Sequence, residues 1–132
     1  MKIYVAYKLS GADLNELKLK LIEVDKIIKE LGHESFIFIR DIQNWIPGSD
    51  PKKTMEEAMK KMKECDAILS IIETKEKGEG MLLETGFMKA LGKRVIVASA
   101  PNGRGILLKA IADEVFEFKD MEEFKDKLRK VI

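Results

Sequence analysis

The sequence predicts a three-layer α/β fold built on a five-stranded parallel sheet. Three observations lead there. Five short apolar runs rich in β-branched residues alternate with five stretches whose apolar residues recur every three or four positions, the pattern of buried strands and covering helices. Residues 66–99 read as strand, glycine-bearing loop, helix and strand, which a parallel sheet closes as a right-handed βαβ crossover. The chain's 132 residues, 45% of them hydrophobic, amount to one domain. A chain of that size buries roughly two thirds of its unfolded surface.

Taken in order, residues 3–7 (IYVAY) form the first strand and residues 8–12 a loop containing Gly11. Asp13 and Glu16 make a capping-box-like start for a helix over 14–31. Its apolar stripe is Leu14, Leu17, Leu21, Val24, Ile28 and Leu31, widened by Ile22 and Ile27, which suits burial against a sheet and leaves surface for an intersubunit seam. Gly32 ends the helix, and His33 is a solvated turn residue. Residues 35–39 form the second strand, which brings Arg40 and Asp41 to its carboxyl edge. The segment 42–50 (IQNWIPGSD) is a loop held by Trp45, serving either as a pocket wall or as a packed anchor. Asp50 and Pro51 supply the N-cap and first position of a helix to residue 64, with Met55, Ala58, Met59 and Met62 inward.

Residues 66–73 form the third strand and 74–80 a loop. From Met81 the spacing is helical, with Leu83, Phe87, Ala90 and Leu91 as the buried face and Gly92 as the left-handed stop. Residues 94–98 are the fourth strand, 100–105 (APNGRG) a turn-rich loop, 106–112 a short helix and 115–118 the last strand. Asp120 caps a final helix with Phe124, Leu128 and Val131 on one face. The expected strand order is 2-1-3-4-5, flavodoxin-like or Rossmann-like, whose switch point brings the loops 8–12 and 74–80 together.

Composition narrows the function classes. The 24 basic and 23 acidic side chains nearly cancel, at +1, so no global field favours nucleic acid or an anionic membrane. The lysines at 60, 61 and 63 read as a solvated helix face. Cys65 is the only cysteine and is expected as a small buried hydrophobe. One cysteine and one histidine do not furnish a four-ligand zinc site, so neither metal nor cofactor is expected. No apolar run approaches membrane-spanning length and the start lacks a signal-peptide profile; the expectation is a soluble cytoplasmic protein.

One acid stands where such folds do chemistry. Glu84 lies about one turn into the crossover helix, at the carboxyl edge of the sheet. The helix dipole and unpaired N–H groups there favour an ionised carboxylate by about 0.3–1 kcal/mol. The same physics accounts for a glutamate that only stabilises a helix start.

The residues Gly80, Glu84, Gly86, Ala90, Gly92, Lys93, Val95 and Ile96 follow the pattern G-x-x-x-E-x-G-x-x-x-A-x-G-K-x-V-I, which resembles the signature of nucleoside 2-deoxyribosyltransferase-like proteins, including deoxynucleoside 5′-monophosphate N-glycosidases. Cys65-Asp66-Ala67, the first strand and Gly103-Arg104 are similar to other family segments. The resemblance thus spans nearly the whole chain, and its specific part lies between residues 80 and 96. It implies an N-glycosidic-bond enzyme, hydrolase or transferase, in which Glu84 attacks the anomeric carbon of a small-molecule nucleoside or nucleotide. It also implies a homodimer, since family sites are often completed across an interface.

The chemistry stands without the family: bond cleavage develops oxocarbenium character at C1′, which a carboxylate stabilises or traps covalently. Backbone amides of Gly78, Glu79 and Gly80 can bind sugar oxygens or a 5′-phosphate. Tyr7 and Lys8 stand where the family has a small Gly-Ser pair, and are expected to line the sugar or phosphate side. Arg104 joins this substrate-binding set. Asp41 is a candidate second acid or, alternatively, a turn cap. Ala58 occupies the place of a family aspartate that positions the sugar; neighbouring Glu57 points about 100° away around the helix. Leu107 replaces a serine that in some members reaches phosphate from a neighbouring subunit.

Two other readings compete. Residues 40–70, with RD, PG and CDAILS, resemble Toll/interleukin-1 receptor-type domains, which implies a nucleotide-, NAD- or ADP-ribose-binding sensor without turnover. A scaffold in which Glu84 is only a helix-start acid is the third.

Overall fold

The structure, a computed structural model, describes residues 1–9, 11–75 and 78–132. Ser10, Glu76 and Lys77, which belong to the two loops expected at the switch point, lie outside the described residues. The elements are β1 (Lys2–Ala6), α1 (Leu14–Glu30), β2 (Glu34–Phe36), α2 (Phe38–Asp41), α3 (Pro51–Lys63), β3 (Ala67–Ile72), α4 (Glu79–Ala90), β4 (Arg94–Ser99), α5 (Ile106–Ile111), β5 (Glu114–Glu117) and α6 (Met121–Val131). All neighbouring strands are parallel, in the order β2-β1-β3-β4-β5, as expected.

Strand alternation divides the core into two faces. Ile3 and Val5 point toward α1 and α6, where Leu21, Val24, Ile28, Phe124 and Leu128 are buried. Tyr4 and Ala6 point the other way, onto Ala58 and Met62 of α3 and Met81 and Met88 of α4. Each fully buried Leu, Ile or Met side chain contributes roughly 1.5–3 kcal/mol. Cys65 lies in this second core, its thiol pushed up to about 11 by burial, so it remains an inert thiol at neutral pH.

The helix ends follow the local rules. Asp13, Asp50 and Asp120 each accept first-turn N–H groups. Gly32 and Gly92 adopt positive φ (88° and 73°), and the residue after each donates back to the last helical turn, His33 to Ile28 O and Lys93 to Met88 O at 3.0 Å.

Two expectations on elements are corrected. The second strand stops at Phe36 rather than Ile39, because Asp41 Oδ2 accepts the Ile37 N–H at 2.8 Å and turns the chain into α2. The Ile39 N–H then meets the Tyr7 hydroxyl at 3.0 Å instead of a neighbouring strand. In α4 the buried residues are Met81, Thr85 and Met88, while Leu83 is 55% exposed. The Ser70 hydroxyl lies 2.7 Å from that of Thr85, which itself donates to Met81 O at 2.7 Å, so Ser70 supplies the proton and α4 is pinned to β3.

Among the described residues no helix is long and apolar enough to cross a membrane.

Candidate active site

Glu84 lies in the second turn of α4, on the side facing β1. Tyr4, fully buried in the middle of β1 and stacked on Phe36, donates its hydroxyl to Glu84 Oε2. Burial and the carboxylate charge hold the Tyr4 phenol far above its ordinary value, so it remains the donor across the working pH range. Burial pushes the Glu84 carboxyl up to about 7, against the lowering effect of the Tyr4 hydrogen bond. Among the described residues Glu84 makes no ion pair.

A cavity of about 420 Å³ opens in front of this carboxylate. Its walls come from three places. The first residues after β1 give Tyr7 and Leu9. α2 and the loop after it give Phe38, Gln43, Pro47, Gly48 and Ser49. The amino ends of α3 and α4 supply the rest, including Met55, Gly78, Glu79 and Gly80. The pocket wall expected of the segment 42–50 is therefore present, and so is the anchor. Trp45 is partly buried against the α1 face, with the Lys18 ammonium 5.2 Å from its ring centroid.

The expected site residues divide by position. Glu84, Tyr7, Gly78, Glu79 and Gly80 share the cavity. Tyr7 accepts from Ile39 N, which leaves its own hydroxyl proton for a ligand. Gly78 caps α4 without a side chain, so among the described residues the first-turn N–H groups carry no side-chain acceptor. A Cβ at position 78 would lie 3.2–3.4 Å from Lys8, so glycine here lets the two loops touch. Lys8 lines an adjoining cavity of about 320 Å³ on the α1 side, beyond Tyr7 and Met81.

Asp41 and Arg104 stand apart. Asp41 does not end a strand at the sheet edge; its carboxylate caps Ile37 N and pairs with Arg40, at 2.8 Å in each case, and it does not line the cavity. Arg104 is exposed, its backbone N–H donates to Thr74 O just after β3 at 3.4 Å, and it too is absent from the walls.

Two residues escaped the sequence reading. Tyr4 carried a signal, since a hydroxyl at a fully buried strand position needs a partner. Gln43 carried none; it is the one side-chain amide among the described residues of the wall. Among the described residues no group of three His, Cys, Asp or Glu side chains is placed to hold a metal ion.

Residues 3–115 match the nucleoside 2-deoxyribosyltransferase family. The chain belongs to that family. As a deoxyribosyltransferase-family enzyme it acts on the N-glycosidic bond of nucleosides or nucleotides. Among curated proteins none matches the sequence. Solved structures share the family's fold at low identity. A CMP N-glycosidase from Clostridium botulinum is 18% identical, with all of both chains covered and a TM-score of 0.72. A 2-deoxyribosyltransferase from Bacillus psychrosaccharolyticus is 21% identical, over 96% of this chain and 91% of that one, with a TM-score of 0.70. A conserved protein from Enterococcus faecalis V583 is 14% identical, over 100% and 99%, with a TM-score of 0.76.

Proposed function

We propose that this deoxyribosyltransferase-family protein cleaves its substrate with Glu84 as the nucleophile. A Glu84 oxygen attacks C1′ as the C1′–N bond breaks, and the bonding pair leaves with the base, which takes up a proton. The resulting glycosyl ester is opened by water, giving the free sugar, or by a second base, giving a new nucleoside. The observation that carries the reading is the hydroxyl-held carboxylate at the wall of a cavity large enough for a small molecule. Tyr7 and the open N–H groups at Gly78 to Gly80 hold sugar oxygens, and Gln43 has the donor and acceptor needed to pair with a base edge. The test is chromatographic: purified protein incubated with nucleosides and their monophosphates is expected to release free base. A broad panel without release, and without exchange when a second base is added, would sink the reading.

A homodimer accompanies this function. The expected seam lay on α1, but its exposed Leu14, Leu19 and Ile22 are interleaved with Lys18, Glu23 and Lys26. The outward face of α4 is more apolar, carrying Leu83 with Gly86 and Ala90 and a single acid, Glu79, at its amino end. Next to it α5 presents Ile106 and Leu107, 76% and 71% exposed. Apolar surface of this kind, self-complementary about a two-fold axis, is what an isologous interface uses. Light scattering is expected to give twice the chain mass, and Leu83→Lys to give the monomer. A monomer in the unsubstituted protein would rule the interface out.

A further inference from the structure

We infer that the site selects an uncharged nucleoside and turns away its 5′-monophosphate, a statement that rests on the N-glycosidic reading above. The charge of the walls supports it. Among the described residues the cavity in front of Glu84 has no lysine, arginine or histidine; the charged residues that line it, Glu79 and Glu84, are both acidic. The adjoining cavity offers no relief. There Lys8 and Lys20 stand against Asp13, Glu16 and Glu73, and Lys20 is paired with Glu73.

Helix termini, the other usual source of anion binding, are disposed the same way. Asp13 already occupies the start of α1, accepting from Asn15 N at 2.9 Å and Glu16 N at 3.1 Å. The N–H groups at the start of α4 have no side-chain cap among the described residues, but the first residue of the helix is Glu79, an exposed acid that lines the same cavity. A neutral hydroxyl accepts from those N–H groups without repulsion. A phosphate of charge near −2 bound there would meet the acidic Glu79, and Glu84 wherever it is ionised, and like charges disfavour binding. Glu79 is thus a specificity residue, acting by exclusion.

The experiment compares kcat/KM for matched pairs, each 2′-deoxynucleoside against its 5′-monophosphate, with base release as the readout. The nucleoside is expected to be favoured at least tenfold, and Glu79→Lys to narrow that ratio by tenfold or more. A wild-type ratio at or below one overturns the inference while leaving the N-glycosidic reading intact. A ratio unchanged in Glu79→Lys removes Glu79 as its source. Should neither member of any pair release base, nor bind Glu84→Gln in calorimetry, the function itself fails and this inference with it.

Discussion

Glu84→Gln is expected to lower base release by a factor on the order of 10³ or more, because the amide keeps the shape and the contact with Tyr4 but cannot form the glycosyl ester. Retention of the wild-type rate would remove the nucleophile from the scheme. The same substitution has a stability signature of defined sign. In the folded state the Glu84 carboxyl holds its proton up to about pH 7, whereas its ordinary value is 4.5. Between those values the folded protein binds more protons than the unfolded chain. The stability contributed by the protonated group is therefore complete below about 4.5 and is lost as pH rises through 7. The glutamine variant escapes this loss. It is expected to melt close to the wild type at pH 4.5 and several degrees higher at pH 8, a gap of at most roughly 3 kcal/mol. Identical melting curves at both values would show that burial does not hold the proton.

Tyr4→Phe is expected to reduce kcat at pH 7 about 10- to 100-fold, the range for losing a hydrogen bond to a charged group. Its pH profile tells positioning from packing. The Tyr4 hydroxyl lowers the Glu84 pKa, so its removal raises that pKa further. Activity that needs the ionised carboxylate rises with pH, and the acidic limb of the profile should move to higher pH in Tyr4→Phe. A uniform loss of rate with an unmoved limb would mean that the phenol serves the core alone.

Much of this architecture is legible in the chain because local physics decides it. Asp13, Asp50 and Asp120 mark helix starts, Gly32 and Gly92 mark stops, and the β-branched runs at 67–72 and 94–99 fill a sheet covered on both faces. What escaped depends on which side chain meets which partner, near or far along the chain. The apolar run at 36–39 suits a strand or a helical turn equally, and the choice falls to Asp41, which reaches back to Ile37. Glu84 stands out in the sequence through its place in the crossover unit. The residue that holds it lies 80 positions upstream and comes beneath it only when β1 pairs with β3. Asp41 looked like a site acid because a longer second strand would have carried it to the sheet edge. In α4 the leucines outweighed Thr85 in the pattern, yet a threonine with both hydroxyl partners is as acceptable to a core as a leucine.

That hydroxyl pair also settles how α4 is rolled about its axis. A helix with Leu83, Phe87 and Leu91 to one side has a greasy face that would pack on a sheet as readily as Met81 and Met88 do. Ser70 and Thr85 forbid the rival orientation, since it would strand Ser70 without a partner under apolar cover. The direction Glu84 faces is thereby set by its neighbour Thr85 together with Ser70, two small side chains that do not line the cavity.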